Sequence, residues 1–245
     1  MNAMGDMKAQ FEEVIHAVDG NQTFFDTSAF PWVPEVEARW KSIRLELDRL
    51  LSCVELLPGF EEIRAEQEGL TADRRWKIFP LYAIGQRLDG NERRCPETML
   101  ALKSIPGLQA AMFSVLQGKK EIPPHTGPYA GVLRYHLGLK IPKPETQCGI
   151  NVGGDDAFWE EGKSLIFDDS HMHHAWNRSD EERVVLFVDF ARPLPPQLAK
   201  TNAYMLSSFS KSDLMLDAAK RWTAWEAVHG AALDQHLAGH TALQA

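Results

Sequence analysis

Hydrophobic positions first recur at helical spacing between 34 and 56, PEVEARWKSIRLELDRLLSCVEL. There Val36, Trp40, Ile43, Leu47, Leu50 and Leu51 fall three and four residues apart and predict an amphipathic helix. From about 60 to 110 the pattern is mixed and predicts loops with one short helix near Pro96 to Lys103. Between about 110 and 192 it changes to short β-branched and aromatic runs, AAMFSVL, GVLRYHLGLKI, CGINV, SLIF and RVVLFVDFA, broken by Gly, Pro and Asp. Several short strands at close spacing predict an antiparallel sandwich or barrel. Because strand side chains alternate, Leu133, Tyr135, Leu137 and Leu139 share one face while Arg134 and His136 share the other. Arg183 likewise lies opposite Val184, Leu186, Val188 and Phe190. After Pro193-Leu194-Pro195-Pro196 the chain turns helical from about Gln197, with Leu214, Ala218, Trp222, Trp225 and Val228 as its apolar stripe. The expected architecture is a single domain, helices packed on one side of a β-sandwich, with a helical C-terminal extension.

Composition narrows the class. At roughly 100 to 200 residues per domain, 245 residues allow one large or two small domains, and 44% hydrophobic content suffices for a real core. No apolar run reaches the length of a membrane helix, and the opening segment carries Gln10, Glu12 and Glu13 where a secretory signal would be apolar, so a cytoplasmic protein is expected. With 34 acidic against 26 basic side chains and no basic stripe, nucleic acid is not an expected partner. Cys53, Cys95 and Cys148 form no CxxC pair and are expected to be reduced and structural.

The chemistry gathers in the β region. Two segments stand out, Pro124-His125-Thr126-Gly127-Pro128 and Phe167-Asp168-Asp169-Ser170-His171-Met172-His173-His174. Two imidazoles, often with one carboxylate, form a non-haem iron centre that leaves open positions for co-substrate and oxygen. The same HMHH run also fits a zinc or nickel site. In an extended segment His171 and His173 share a face and His174 points away, so alternation leaves two candidates.

The blocks HTGPYAGVLRYHLGLKIP, WEEGKSLIFDDSHMHHAWN and ERVVLFVDFARP, preceded by FPWVPEVEARWKSIRLEL, resemble the aspartyl/asparaginyl β-hydroxylase family of Fe(II)/2-oxoglutarate dioxygenases. The resemblance covers about residues 30–195, leaving an N-terminal segment 1–29 and a helical extension 196–245 outside it. It implies a mainly β fold with flanking helices, the double-stranded β-helix or cupin-like jelly roll. It makes His125 and His173 the iron ligands. It places 2-oxoglutarate against Trp76, Ser114, Arg134, His136 and Arg183, with Arg183 on the distal carboxylate, a pairing suited to a guanidinium's parallel donors. Gly127 stands where many related oxygenases carry an acidic third ligand, so two histidines with water would hold the metal. Asp169 would orient that water, or with Asp168 simply form the turn before the His strand. The implied reaction consumes O2 and 2-oxoglutarate and hydroxylates an unactivated carbon.

Within the family, aspartyl-type substrates are held partly by two arginines on the strand after HTG. Here the first of these is Val132 and only Arg134 remains as a substrate contact. A free or peptidyl aspartate-type substrate is the first expectation. The acyl chain of a lipid is the second, because a branch that hydroxylates lipid A shares the wording AGxLRYHLGL. Two other outcomes stay open: halogenation, with chloride beside Gly127, and a non-catalytic cupin-like metal-binding protein.

Overall fold

The computed structural model describes residues 3–83 and 88–243, so the extreme ends of the segments 1–29 and 196–245 lie outside the described residues. Among the described residues ten strands are present: β1 (Phe24–Phe25), β2 (Trp76–Ala83), β3 (Leu108–Leu116), β4 (Lys120–His125), β5 (Val132–Lys140), β6 (Cys148–Val152), β7 (Asp155–Phe158), β8 (Ser164–Phe167), β9 (His173–Asn177) and β10 (Arg183–Ala191). They form a six-stranded sheet in the order β1-β8-β5-β10-β3-β2 and a four-stranded sheet in the order β4-β9-β6-β7, with every named pair antiparallel. From β3 to β10 the chain passes back and forth between the sheets. That strand order is a jelly roll, the double-stranded β-helix.

Eight helices flank the sheets: α1 (Ala3–Asp19), α2 (Val33–Ala38), α3 (Trp40–Leu51), α4 (Phe60–Ile63), α5 (Asp89–Arg94), α6 (Pro96–Leu102), α7 (Pro196–Phe209) and α8 (Asp213–Leu243). The outer face of the large sheet, with Leu133, Tyr135, Leu137, Val184, Leu186 and Val188, is sealed by Val36, Ile43, Leu47 and Leu50 from α2 and α3. Both faces of β5 and β10 are therefore buried, and Arg134, His136 and Arg183 look into the barrel rather than into solvent. The segment 1–29 packs onto this body. Ile15 of α1 is fully buried, and β1 extends the large sheet beside β8.

Four expectations need correction. The helix over 34–56 is two helices that meet at Arg39 (φ −92°, ψ 0°), followed by a 3₁₀ turn over Val54–Leu56. The break lets Val33 and Val36 bury separately from the Ile43, Leu47 and Leu50 stripe. Strand β2 lies inside the stretch read as loops, masked by Pro80, which is tolerated because β2 is an edge strand. Strand β4 was hidden in the same way by Pro123 and Pro124, and it too is an edge. On α8, Val228 is 73% exposed, whereas Trp222, Gly230, Leu233 and Leu237 are buried. The face is chosen by the buried Arg94, whose guanidinium binds Glu226 (2.7 and 3.0 Å), Asp234 (2.8 Å) and the Gly230 carbonyl (3.2 Å). All three cysteines are free and buried, as expected. Among the described residues no helix is long and apolar enough to cross a membrane.

Candidate active site

His125 ends β4 and His173 opens β9, and the two are direct cross-strand partners. The register slips between Ile122 and His125, a bulge at the two prolines that re-aims His125 inward. The imidazoles lie with ring centroids 4.1 Å apart, tilted by 51°. His125 Nδ1 sits 2.8 Å from the Pro123 carbonyl oxygen and His173 Nδ1 2.9 Å from that of His171. With the proton on Nδ1 donated to these carbonyls, each Nε2 keeps a free lone pair, the tautomer a metal ligand needs. Burial lowers the proton affinity of both rings. For His173 burial, then His125 and Arg134, push the pKa down to about 3, so the ring is neutral and able to ligate.

Along β9, His173, Ala175 and Asn177 face the barrel interior, and His174 lies outside, its ring against Trp176. His171 precedes the strand in a bend, so alternation does not apply to it. It joins a different group, in which the Asp168 carboxylate faces His16 Nε2 (3.4 Å) and His171 Nε2 (3.9 Å) and forms a hydrogen bond with Arg192. The ligand-type atoms of His16, Asp168 and His171 lie within 4.8 Å of one another. Arg192 also pairs with Asp19, so the Asp168 charge is met by a cation of the chain itself. The group clasps the N-terminal helix to the loop that leads into His173. Asp168 is thus structural.

Asp169 has another environment. Both its oxygens are buried without a hydrogen-bond partner, although Arg134 Nη2 lies 2.8 Å away as a charge pair lacking hydrogen-bond alignment. Burial pushes its pKa up to about 6 against the pull of Arg134. The Asp169 carboxylate fills the space beside Gly127. A Cβ built on Gly127 would meet Asp169 Oδ2 at 2.2 Å, while the Gly127 amide donates to the Asp169 carbonyl at 2.6 Å. The missing side chain in HTG is therefore a steric requirement, with a carboxylate from another loop occupying its place. Gly127→Ala is expected to destabilise the protein by ~1–3 kcal/mol through overpacking, read by thermal melting.

Deeper in the barrel, cross-strand pairing brings the remaining candidates onto one face. Ser114 opposes Val185, His136 opposes Phe187, and Trp76 and Arg183 both oppose Leu116. Trp76 Nε1 donates to Ser114 Oγ at 2.9 Å. Arg183 is 2% exposed and stacks 4.5 Å over Trp159, yet its Nε and Nη1 have no hydrogen-bond partner. Burial without an acidic neighbour pulls its pKa down to about 10, so it stays cationic at neutral pH. Neither ring nitrogen of His136 is satisfied. Burial and then the nearby Arg183, Arg134 and His173 hold that imidazole neutral. A buried cation and buried polar atoms without partners are costly unless a ligand supplies them. The donor set fits a dicarboxylic co-substrate, and the neutral imidazole pair fits a divalent iron.

Arg134 departs from the expected pattern. Its Nε and Nη2 donate to both oxygens of Asp189 (2.9 and 3.2 Å), the residue opposite it on β10, and its guanidinium lies 4.1 Å over Phe187. Sequence reasoning missed Asp189 and Trp159. Asp189 shares the strand face of Arg183, a signal that becomes usable only once the β5–β10 register is known.

A cavity of about 280 Å³ opens at the His125 end. Its walls include Ile78, Ala110, Met112, Val132 and Phe187 from the barrel and Trp222 from α8. Among the described residues the arginines on its lining, Arg64 and Arg134, are both paired with carboxylates, Arg64 with Glu66.

Residues 37–193 match the family described as aspartyl/asparaginyl beta-hydroxylase. An ornithine lipid ester-linked acyl 2-hydroxylase of Rhizobium tropici is 46% identical over 175 residues, which are 71% of this chain and 62% of that one. The aspartyl/asparaginyl beta-hydroxylase of Homo sapiens is 34% identical over 171 residues, 67% of this chain and 22% of that one. The chain thus spans less than two thirds of the length of either relative. Among solved structures, a cupin domain from a transcriptional regulator of Enterobacter cloacae superposes with a TM-score of 0.34 at 12% identity, covering 49% of this chain and 99% of that one.

Proposed function

Because the chain belongs to the aspartyl/asparaginyl β-hydroxylase family, we propose that it is an Fe(II)- and 2-oxoglutarate-dependent dioxygenase hydroxylating an unactivated carbon of a lipid acyl chain. His125 and His173 would hold the iron. Arg183 would receive the distal carboxylate of 2-oxoglutarate, with His136, Ser114 and Trp76 around it. Iron, 2-oxoglutarate and O2 bound there would together supply the oxidising power to break a C–H bond, one oxygen atom going to the hydroxyl and the other to succinate, with carbon dioxide released. The chain's own part is to orient and exclude. Asp169, beside Gly127, would hold a water at the metal, and the apolar mouth would keep competing water from the target carbon.

The observation that carries the acyl reading is the mouth of the site. Val132 replaces one family arginine and Asp189 holds the other, so the arginines described on the lining are already paired, and Ile78, Ala110, Met112, Val132, Phe187 and Trp222 offer a hydrocarbon an apolar wall. Similarity to an acyl 2-hydroxylase points the same way. An aspartyl-type substrate, the first expectation from sequence, rests on Arg134. Recruiting that guanidinium would require breaking its bidentate pair. Halogenation is disfavoured because chloride would have to sit against the Asp169 carboxylate. The unpaired Arg183 speaks against a protein that only binds metal.

The test is product mass. Purified protein with Fe(II), 2-oxoglutarate and oxygen is offered acyl lipids and aspartyl peptides in parallel. A gain of one oxygen in the acyl chain supports the reading, and oxygen gained only by the peptide overturns it.

A further inference from the structure

The family match ends at residue 193, yet the cavity that reaches His125 is closed by chain beyond it. Leu206 and Phe209 of α7 and Met215, Ala218, Ala219 and Trp222 of α8 line the side facing the barrel wall. These contribute no charge. Trp222 is buried, stacked on Trp225 with centroids 4.8 Å apart and set edge-on to Phe79 at 6.2 Å. The two ion pairs of Arg94 fix the rotation of α8, so this wall is held from outside the cavity. Between the buried Trp222 and the exposed Phe209, the two adjacent alanines are the smallest side chains that the C-terminal helices give the lining.

We propose that the C-terminal helices are the acyl-chain gauge of this site: the small side chains of Ala218 and Ala219 leave the space for the chain's far end, and their size sets the length accepted. The inference rests on the acyl reading above. A chain entering the cavity buries methylenes one after another. Excluding about two of them costs about tenfold in affinity. A shorter chain that never reaches the alanines loses nothing.

Binding is read without iron or turnover, by displacement of the fluorescent fatty acid cis-parinaric acid from metal-free protein. Octanoate and palmitate serve as the competing short and long chains. Wild type is expected to bind both, palmitate more tightly. Ala218→Phe and Ala219→Phe are expected to weaken palmitate by about tenfold or more and to leave octanoate within about twofold. Thr223 of α8 also lines the cavity, and Thr223→Ala, which enlarges the same wall, should not weaken palmitate. Equal losses for both chain lengths, or none for either, would overturn the gauge while leaving the acyl reading standing. Failure of wild type to take up the probe or either chain would overturn the acyl reading itself. Circular dichroism and melting of each variant show whether a uniform loss comes from misfolding. In that case Ala218→Val and Ala219→Val, which are smaller and suited to a buried wall, must reproduce the length-selective loss for the gauge to survive.

Discussion

His173→Ala and His125→Ala are each expected to abolish Fe(II)-dependent release of succinate from 2-oxoglutarate and to leave the protein without stoichiometric iron. Removing an outer partner of a metal ligand costs about 10- to 100-fold. Removing one of two protein ligands, with no carboxylate at position 127 to compensate, must cost more. The reason is geometric. The two rings are cross-strand neighbours whose Nδ1 atoms are tied to backbone carbonyls, so the backbone itself sets both ligand atoms in place. His174→Ala, on the outer face, should retain iron and activity. His171→Ala should loosen the clasp to His16 and largely preserve turnover. Elemental analysis and succinate quantification on the same preparations decide it. Iron lost from His171→Ala but kept by His173→Ala would show that the assigned ligand is wrong. His173→Gln, closer in volume, guards against reading a collapsed barrel as a lost ligand.

Arg183→Met separates binding from folding, because its two effects have opposite signs. In the ligand-free protein Arg183 is a buried cation with two unsatisfied nitrogens and no acidic partner. Replacing it with an apolar side chain of similar length removes a desolvation cost, so the melting temperature should hold or rise. The 2-oxoglutarate requirement should rise by about 2–4 kcal/mol, on the order of 30- to 1,000-fold in concentration. Wild type should also be stabilised by added 2-oxoglutarate, and the variant far less, since a ligand that binds only the folded state raises its stability by mass action. An Arg183→Met protein that melts lower and binds 2-oxoglutarate normally would make Arg183 a structural strand residue.

Much of the fold was legible in short windows. The runs that became β3, β5, β6, β8 and β10 announce themselves as short β-branched and aromatic stretches, and the helical spacing of Ile43, Leu47 and Leu50 survives in α3. Arg134 and His136 were placed opposite their leucine neighbours by backbone geometry alone, and they do lie on the interior face. β2 and β4 stayed hidden because each carries proline, whose missing N–H is penalised in a central strand and harmless at an edge, and β1 and β7 because two and four residues are too few to show a pattern.

Local periodicity therefore determined which residues share a face within the strands and helices that show it, and residue identity determined which side chains are able to ligate or pair. Tertiary structure alone decided who meets whom. It set His173 rather than His171 across from His125, put the Asp169 carboxylate into the gap at Gly127, tied Arg134 to Asp189, and laid α7 and α8 over the mouth. The division has a physical cause. Periodicity follows from bond geometry that every residue carries with it, whereas cross-strand register and helix docking depend on bulges, crossovers and buried ion pairs among segments far apart in the chain.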